Sequence, residues 1–372
     1  MFNLKNEILN FTINFPFIGG IVTFLAGFVL MPFVLNFAQK HNLVVRPNKR
    51  TSHNGSVPNI GGLDIFLSLI FVFIFMLIFN KLHIAFFIGF CLLFLIGFID
   101  DRLVLSAYWK ILGETLCAFF LIYFADIRIT SFYGVFGVYE LPLILSYAVS
   151  YIVFLVIINA LNLIDGVDGL ASGLGILYCL FFGIWFYIVH LTYYSLFCFA
   201  LIGSLSVFFL YNVFGKSKRK IFMGDSGALI LGYLITFIVF VFLEKNSKGV
   251  GNELLNFKYA PATVFCILFV PVFDIVRVAI TRLKQHKSLL EPDKNHIHHL
   301  LLYLGLSHKQ VTLVLVSVSS LFMLTAILLK DYNIWVQLSI ILVMGILMIF
   351  LLWQLIDGKN QKTAVKKQNP QK

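Results

Sequence analysis

Charge is what this chain has least of. Only 12% of its 372 residues are charged, and Asp plus Glu number just 17. No polar segment is long enough to build a water-soluble catalytic domain. That excludes an enzyme whose chemistry sits in an aqueous domain of its own. Cysteine is scarce as well. Cys91, Cys117, Cys179, Cys198 and Cys266 all fall inside apolar runs, with no CxxC pair. They read as small buried hydrophobes, so neither a disulfide framework nor zinc is indicated. Also missing are a Gly-x-Ser-x-Gly elbow, a P-loop and an HExxH string. Their absence argues against serine hydrolase, P-loop ATPase and zincin chemistry. No internal repeat and no inverted halves are visible, which weakens a transporter reading.

What fills the chain instead is apolar. Hydrophobic residues make up 60% and the mean hydropathy is +0.94, where a soluble domain averages about 45–50% apolar. Such an excess cannot be hidden in one aqueous core. Apolar stretches of about 20 residues recur, the signature of membrane spans. They fall near 17–38, 62–80, 83–99, 108–125, 141–160, 169–189, 192–213, 226–243, 259–280, 311–329 and 333–354. The fold expected is all-α, a polytopic integral membrane bundle of about eleven transmembrane helices. Residues 1–356 form one catalytic domain, and 357–372 form a basic tail expected to be disordered and able to touch anionic lipid. The run after Lys5 is too long for a signal-peptide core and reads as a retained first span. Gly134 and Gly137 in residues 129–141 suggest a small hairpin.

The net charge is +11. Lys40, Arg46, Lys49, Arg50, Arg102, Lys216, Arg219, Lys220, Arg282, Lys284 and the tail lysines share one set of loops. By the positive-inside rule that side is cytoplasmic, with the N-terminus outside and the C-terminus inside. The location expected is the cell inner (cytoplasmic) membrane. No folded basic module accompanies the charge, so nucleic acid is not an expected partner.

The few acids are concentrated. Asp64, Asp100, Asp101, Asp165, Asp168, Asp225, Asp274 and Asp293 lie at the ends of apolar runs or just inside them. A carboxylate at a membrane boundary costs several kcal/mol unless it meets a cation or a wet cavity. Most sit in short strings, all on the side expected to be cytoplasmic. Asp100 and Asp101 repel each other and want a divalent cation or a basic neighbour. Mg²⁺ suits a few carboxylates plus substrate phosphates. Lys110 could hold a phosphate, and the bland alternative is an acidic cap with a snorkelling lysine. In NALNLIDGVDGL, Asn159 and Asn162 are three apart, as are Asp165 and Asp168, which places each pair on one helix face. Gly166 and Gly169 let a ligand approach closely. Asp225 in FMGDSGALILG reads as a helix N-cap, a metal ligand, or both. The basic run KSKRK before it reads as a positive-inside anchor. Asp274 and Arg277 can pair at i and i+3, and Arg282 can reach anionic groups. His296, His298 and His299 do not fit zinc spacing. They suit phosphate binding or proton transfer, with a surface cluster as the alternative.

These strings resemble the polyprenyl-phosphate N-acetylhexosamine-1-phosphate transferases (the WecA/TagO/MraY superfamily, glycosyltransferase family 4) from about Arg46 to about Gln310. HIHHLLLYLGLSHKQ is closer to the WecA/TagO-like branch than to the peptidoglycan branch. The resemblance implies transfer of an N-acetylamino-sugar 1-phosphate from a UDP-sugar to polyprenyl (undecaprenyl) phosphate, giving a polyprenyl-diphospho-sugar and UMP. This is the first membrane step of cell-envelope polysaccharide synthesis. UDP-GlcNAc is the default donor. The resemblance also implies a need for Mg²⁺ or Mn²⁺. It maps the metal role onto Asp225, Asp165 and Asp101 and catalytic roles onto Asp100, Asp101, Asp165, Asp168 and His298. Substrate contacts fall on Lys110, Asn159, Asn162, Asp274, Arg282, His296 and His299, and on Arg50 and His53 of the first loop. Val45 and Glu114 depart from the common pattern, which has Asp and Gln there; the second departure bears on substrate preference. Alternatives are the phospho-N-acetylmuramoyl-pentapeptide transferase of peptidoglycan synthesis and, in another class, a transporter or flippase with acidic ion sites. A homodimer is compatible with the sequence.

Overall fold

The structure, a computed structural model, describes residues 15–45, 57–216, 219–250, 255–288 and 295–368. Arg50 and His53 lie outside the described residues. The first half runs α1 (Ile18–Lys40), a two-residue ladder of β1 (Val44–Val45) and β2 (Val57–Pro58), α2 (Gly61–Ile78), α3 (Ile84–Leu103) and α4 (Ala107–Phe119). A hairpin of β3 (Ser131–Val135) and β4 (Val138–Glu140) follows, as the glycine spacing predicts. Next come α5 (Leu143–Ile164), α6 (Leu170–Ile188), α7 (Thr192–Phe209) and α8 (Gly224–Ser247). The chain finishes with α9 (Ala260–Ile267), α10 (Phe269–Lys284), α11 (Ile297–Leu304), α12 (His308–Leu328) and α13 (Ile334–Gln368). Helices α4 and α7 each end in a π-helical turn, Phe120–Phe124 and Leu210–Phe214.

Ten of the described helices are long and apolar enough to cross a membrane, and the α9–α10 pair makes an eleventh if it counts as one span. The protein is a multi-pass membrane protein. The expected continuous span over 259–280 is instead broken, with α9 and α10 bent by 81°. Pro271 in the first turn of α10 has no N–H to give the Ile267 carbonyl, so the helix cannot run straight through. At the C-terminus α13 continues to Gln368, so the backbone of 357–368 extends that helix rather than leaving it at Asp357.

Helix α8 is the axis of the bundle. Every residue from Ser226 to Leu243 is buried. A helix apolar on all sides belongs in the middle, and α8 packs against α2, α3, α5 and α6. Its start is approached unusually closely. A Cβ on Gly97 would sit 2.4 Å from Ser226 Cα, and one on Gly62 would sit 2.3 Å from Gly227 N. Only glycine permits both approaches, and they bring the first turn of α2 and the C-terminal part of α3 directly against the first turn of α8. At the other end the hairpin ties down the helix. Thr130 donates to Glu244, Tyr133 donates to the Leu243 carbonyl, and Asn246 bonds both the N–H and the C=O of Phe257.

Asp64 is separate from the other acids. It is fully buried, and neither carboxyl oxygen has a hydrogen-bond partner. It points at the α1–α7 seam, where a Cβ on Gly27 would lie 3.2 Å from its Oδ2. An unsatisfied buried polar group costs about 1–3 kcal/mol. Asp64→Ala should therefore raise the melting temperature in detergent, while Asp64→Asn, which keeps polar atoms there, should not. A lower melting temperature for the alanine variant would contradict this account.

Candidate active site

The last turn of α3 delivers Asp100 and Asp101 in different directions. Asp100 is 7% exposed. Its Oδ1 accepts from the Leu105 N–H at 2.7 Å and its Oδ2 meets Lys110 Nζ at 2.9 Å. The turn that makes this possible is strained. Val104 is β-branched yet has φ +50°, a conformation that costs about 1–2 kcal/mol. Lys110, in the first turn of α4, also ion-pairs with Asp225. One ammonium thus bridges acids from α3 and α8.

Asp101, expected as a metal ligand beside Asp165 and Asp225, has both oxygens engaged by α8. Oδ1 accepts from Asp225 N–H at 2.7 Å and from Asn59 Nδ2 at 2.9 Å. Oδ2 accepts from Ser226 N–H at 3.1 Å and Ser226 Oγ at 2.8 Å. This is an N-terminal cap supplied from another helix. It satisfies orphan donors and places negative charge at the positive end of the α8 dipole.

The Asn/Asp string ends α5. Asp165 is the residue at which that helix stops, and Asn162 Nδ2 donates to Asp225 Oδ1 at 3.2 Å. Asn162, Asp165, Asp168 and Asp225 line one cavity of about 290 Å³, together with Asn59 and Asn212. Burial first, then the neighbouring charges of Asp225, Asp101 and Asp168, push the Asp165 carboxyl well above the usual carboxylate range. Asp168 pairs with Lys220 at 2.6 Å and lies 3.4 Å from His308 Nδ1. Lys220 therefore belongs to the acid loop and is not merely part of a membrane anchor. Asn159 is set deeper and donates to Glu114 at 2.7 Å. Glu114 is fully buried.

The histidine segment covers this loop. Asp274 accepts from the Ile297 N–H and pairs with His296 at 2.9 Å and Arg277 at 2.8 Å. These contacts fix the first turn of α11. Asp274 and His296 thus anchor the segment, and Arg282 is buried on α10. His298 is 1% exposed, and a Cβ on Gly166 would lie 2.7 Å from its Nε2. Gly166 makes room for this ring. The His299 ring packs against His298 at a tilt of 44°, with centroids 4.2 Å apart.

Sequence reasoning missed Asn59, Asn212, Lys220 and Ser226 as elements of the site. A polar Asn in the apolar run FFLYNVFG was the available signal for Asn212. A further feature is an almost wholly apolar groove of about 510 Å³ along α4, lined by Trp109, Leu112, Gly113, Thr115, Leu116 and Phe119. It lies next to Lys110 in the chain. Among the described residues no three His, Cys, Asp or Glu side chains converge as a ready-made metal site. The oxygen-only donors Asp165 and Asp225 fit a hard cation that completes its shell with water and substrate phosphate.

Burial, together with His299, depresses the His298 imidazole from 6.5 to about 3. The unfolded chain binds that proton first, so stability contributed by neutral His298 is present above pH 6.5 and is lost as pH falls toward 3. Wild-type melting temperature should accordingly drop more between pH 6.5 and 4 than that of His298→Gln. Parallel curves would refute the assignment.

The glycosyl transferase family 4 model matches residues 83–243. A probable undecaprenyl-phosphate N-acetylglucosaminyl 1-phosphate transferase of Bacillus subtilis (strain 168) is 31% identical over 330 residues, 88% of this chain and 88% of its own length. Undecaprenyl-phosphate alpha-N-acetylglucosaminyl 1-phosphate transferases of Escherichia coli (strain K12) and Yersinia pestis are 27% and 28% identical. Those matches cover 88% and 82% of this chain and 87% and 82% of the relatives. With a match near a third identical along nearly nine-tenths of its length, the chain belongs to glycosyl transferase family 4, among the polyprenyl-phosphate N-acetylhexosamine-1-phosphate transferases.

Proposed function

We propose that this protein transfers N-acetylglucosamine 1-phosphate from UDP-GlcNAc to undecaprenyl phosphate, releasing UMP. The observation that carries the reading is the meeting of Asn162, Asp165, Asp168 and Asp225 around one cavity, with Lys110 reaching Asp225. An oxygen of the lipid phosphate attacks the sugar-bearing phosphorus of the donor. The bond from that phosphorus to the bridging oxygen breaks, and the oxygen leaves with UMP. Positioning and charge neutralisation carry most of such a reaction.

Asp165 and Asp225 are the residues suited to hold Mg²⁺, with Mn²⁺ as a substitute. Bound there, the ion would supply charge neutralisation to the donor diphosphate. Lys110, next in the chain to Trp109 of the α4 groove, orients the lipid phosphate while the groove takes the isoprenoid. Asp100 aims Lys110. Asp101 and Asn59 hold the start of α8, and with it Asp225, in place. His298, its imidazole neutral, presses on the Asp165–Gly166 turn. The Lys and Arg distribution supports a cytoplasmic orientation for this end of the bundle, in the inner membrane.

Asp225→Asn and Asp165→Asn should each abolish UMP release from purified protein supplied with undecaprenyl phosphate and labelled UDP-GlcNAc, with membrane insertion intact. Chelation should do the same to the wild type, and added Mg²⁺ should reverse it. Full activity in either variant would remove that residue from the reaction. Trp109→Ala should raise the KM for the lipid about tenfold, the loss expected for a large apolar contact. Its KM for the nucleotide sugar should stay unchanged, and a rise in both would move the isoprenoid off α4.

A further inference from the structure

Two acid-bearing segments must keep a fixed separation for the cavity to work, yet they come from distant parts of the chain. One is the turn after α5, carrying Asp165 and Asp168. The other is the stretch leading into α8, carrying Asp225. One side chain bonds the backbone of both. Asn212 Oδ1 accepts from the Gly169 N–H at 2.6 Å, and its Nδ2 donates to the Ile221 carbonyl at 2.7 Å. Asn212 is 4% exposed and forms part of the cavity wall.

The residue is placed there by an irregularity. The last turn of α7, Leu210–Phe214, is π-helical. Such turns interrupt regular hydrogen bonding and are frequent at functional sites. A second tie runs parallel to the first, because Lys220, next to Ile221, pairs with Asp168, next to Gly169. That ion pair is between two partly exposed side chains. Asn212 bonds backbone groups in a buried position, where a lost partner leaves an unsatisfied polar atom.

We infer that Asn212 is a positioning residue for transfer, a buried amide strap that sets the distance between the Asp165–Asp168 turn and the Asp225 turn. Both polar atoms of its amide are spent on backbone, so it acts through the two turns it joins. Both functions of the amide are needed, acceptor toward Gly169 and donor toward Ile221. Leucine of similar size supplies neither, and aspartate supplies the acceptor alone. The inference rests on the transfer activity proposed above for its kinetic part, and on backbone protection for its structural part.

The test uses the full-length protein in detergent as wild type, Asn212→Leu and Asn212→Asp. UMP release and amide hydrogen exchange are measured on each. In the leucine variant the Gly169 amide should exchange at least about tenfold faster while α8 stays protected. Its kcat should fall about 10- to 100-fold, the scale of a small misplacement of reacting groups, with the KM for UDP-GlcNAc little changed. The aspartate variant should keep Gly169 protection and show a smaller fall in kcat. Unchanged Gly169 exchange in the leucine variant would overturn the strap. Wild-type kcat in either variant, or a fall that merely tracks global loss of protection, would overturn the positioning role. A wild-type protein that releases no UMP would count against the transfer reading alone, and the exchange data would still decide the strap.

Discussion

The site depends on one carboxylate that does not face its cavity. Asp101 takes the first N–H groups of α8 and the Ser226 hydroxyl onto its two oxygens. Without that anion the most deeply buried helix of the bundle would begin with unsatisfied donors in a low-dielectric setting. With it, the end of α3 and the start of α8 become one unit. Asp225, whose own N–H is among those held, then projects its side chain toward Lys110 and Asn162.

Like charges crowd together as a result. Asp100, Asp165, Asp168 and Asp225 come from three different helix ends and meet around a small cavity and its rim. Three of the four have a partner that tempers the repulsion. Asp100 and Asp225 share Lys110, Asp168 has Lys220 and His308, and Asp165, the most desolvated, has the weakest compensation. Asp165 therefore has the strongest electrostatic demand for an incoming cation.

Much of this was legible in the sequence because apolar run length fixes span positions and so fixes which loops share a side. The strings carrying Asp100, Asp165, Asp225 and Asp274 fall at span ends, and the structure gathers them at one end of the bundle. The Asp274–Arg277 pair could be read from helical spacing alone. What stayed hidden depends on long-range approach. Asp101 bonds a backbone 124 residues away, and nothing in its local string separates a cap from a ligand. Asn212 and Asn59 act through backbone groups, which leave no residue-type signature at the partner. The break at Leu268 was masked because Pro271 sits in an otherwise apolar stretch. Lys220 looked like one more basic anchor until its distance to Asp168 was known.

The α8 shaft is fastened at both extremities, by Asp101 and Asn59 at one and by Tyr133, Thr130 and Asn246 at the other. A rod fixed in this way can neither slide lengthwise nor turn about its own axis. The acid cavity is therefore built against a shaft pinned at both ends, which is mechanically unlike a rocking carrier.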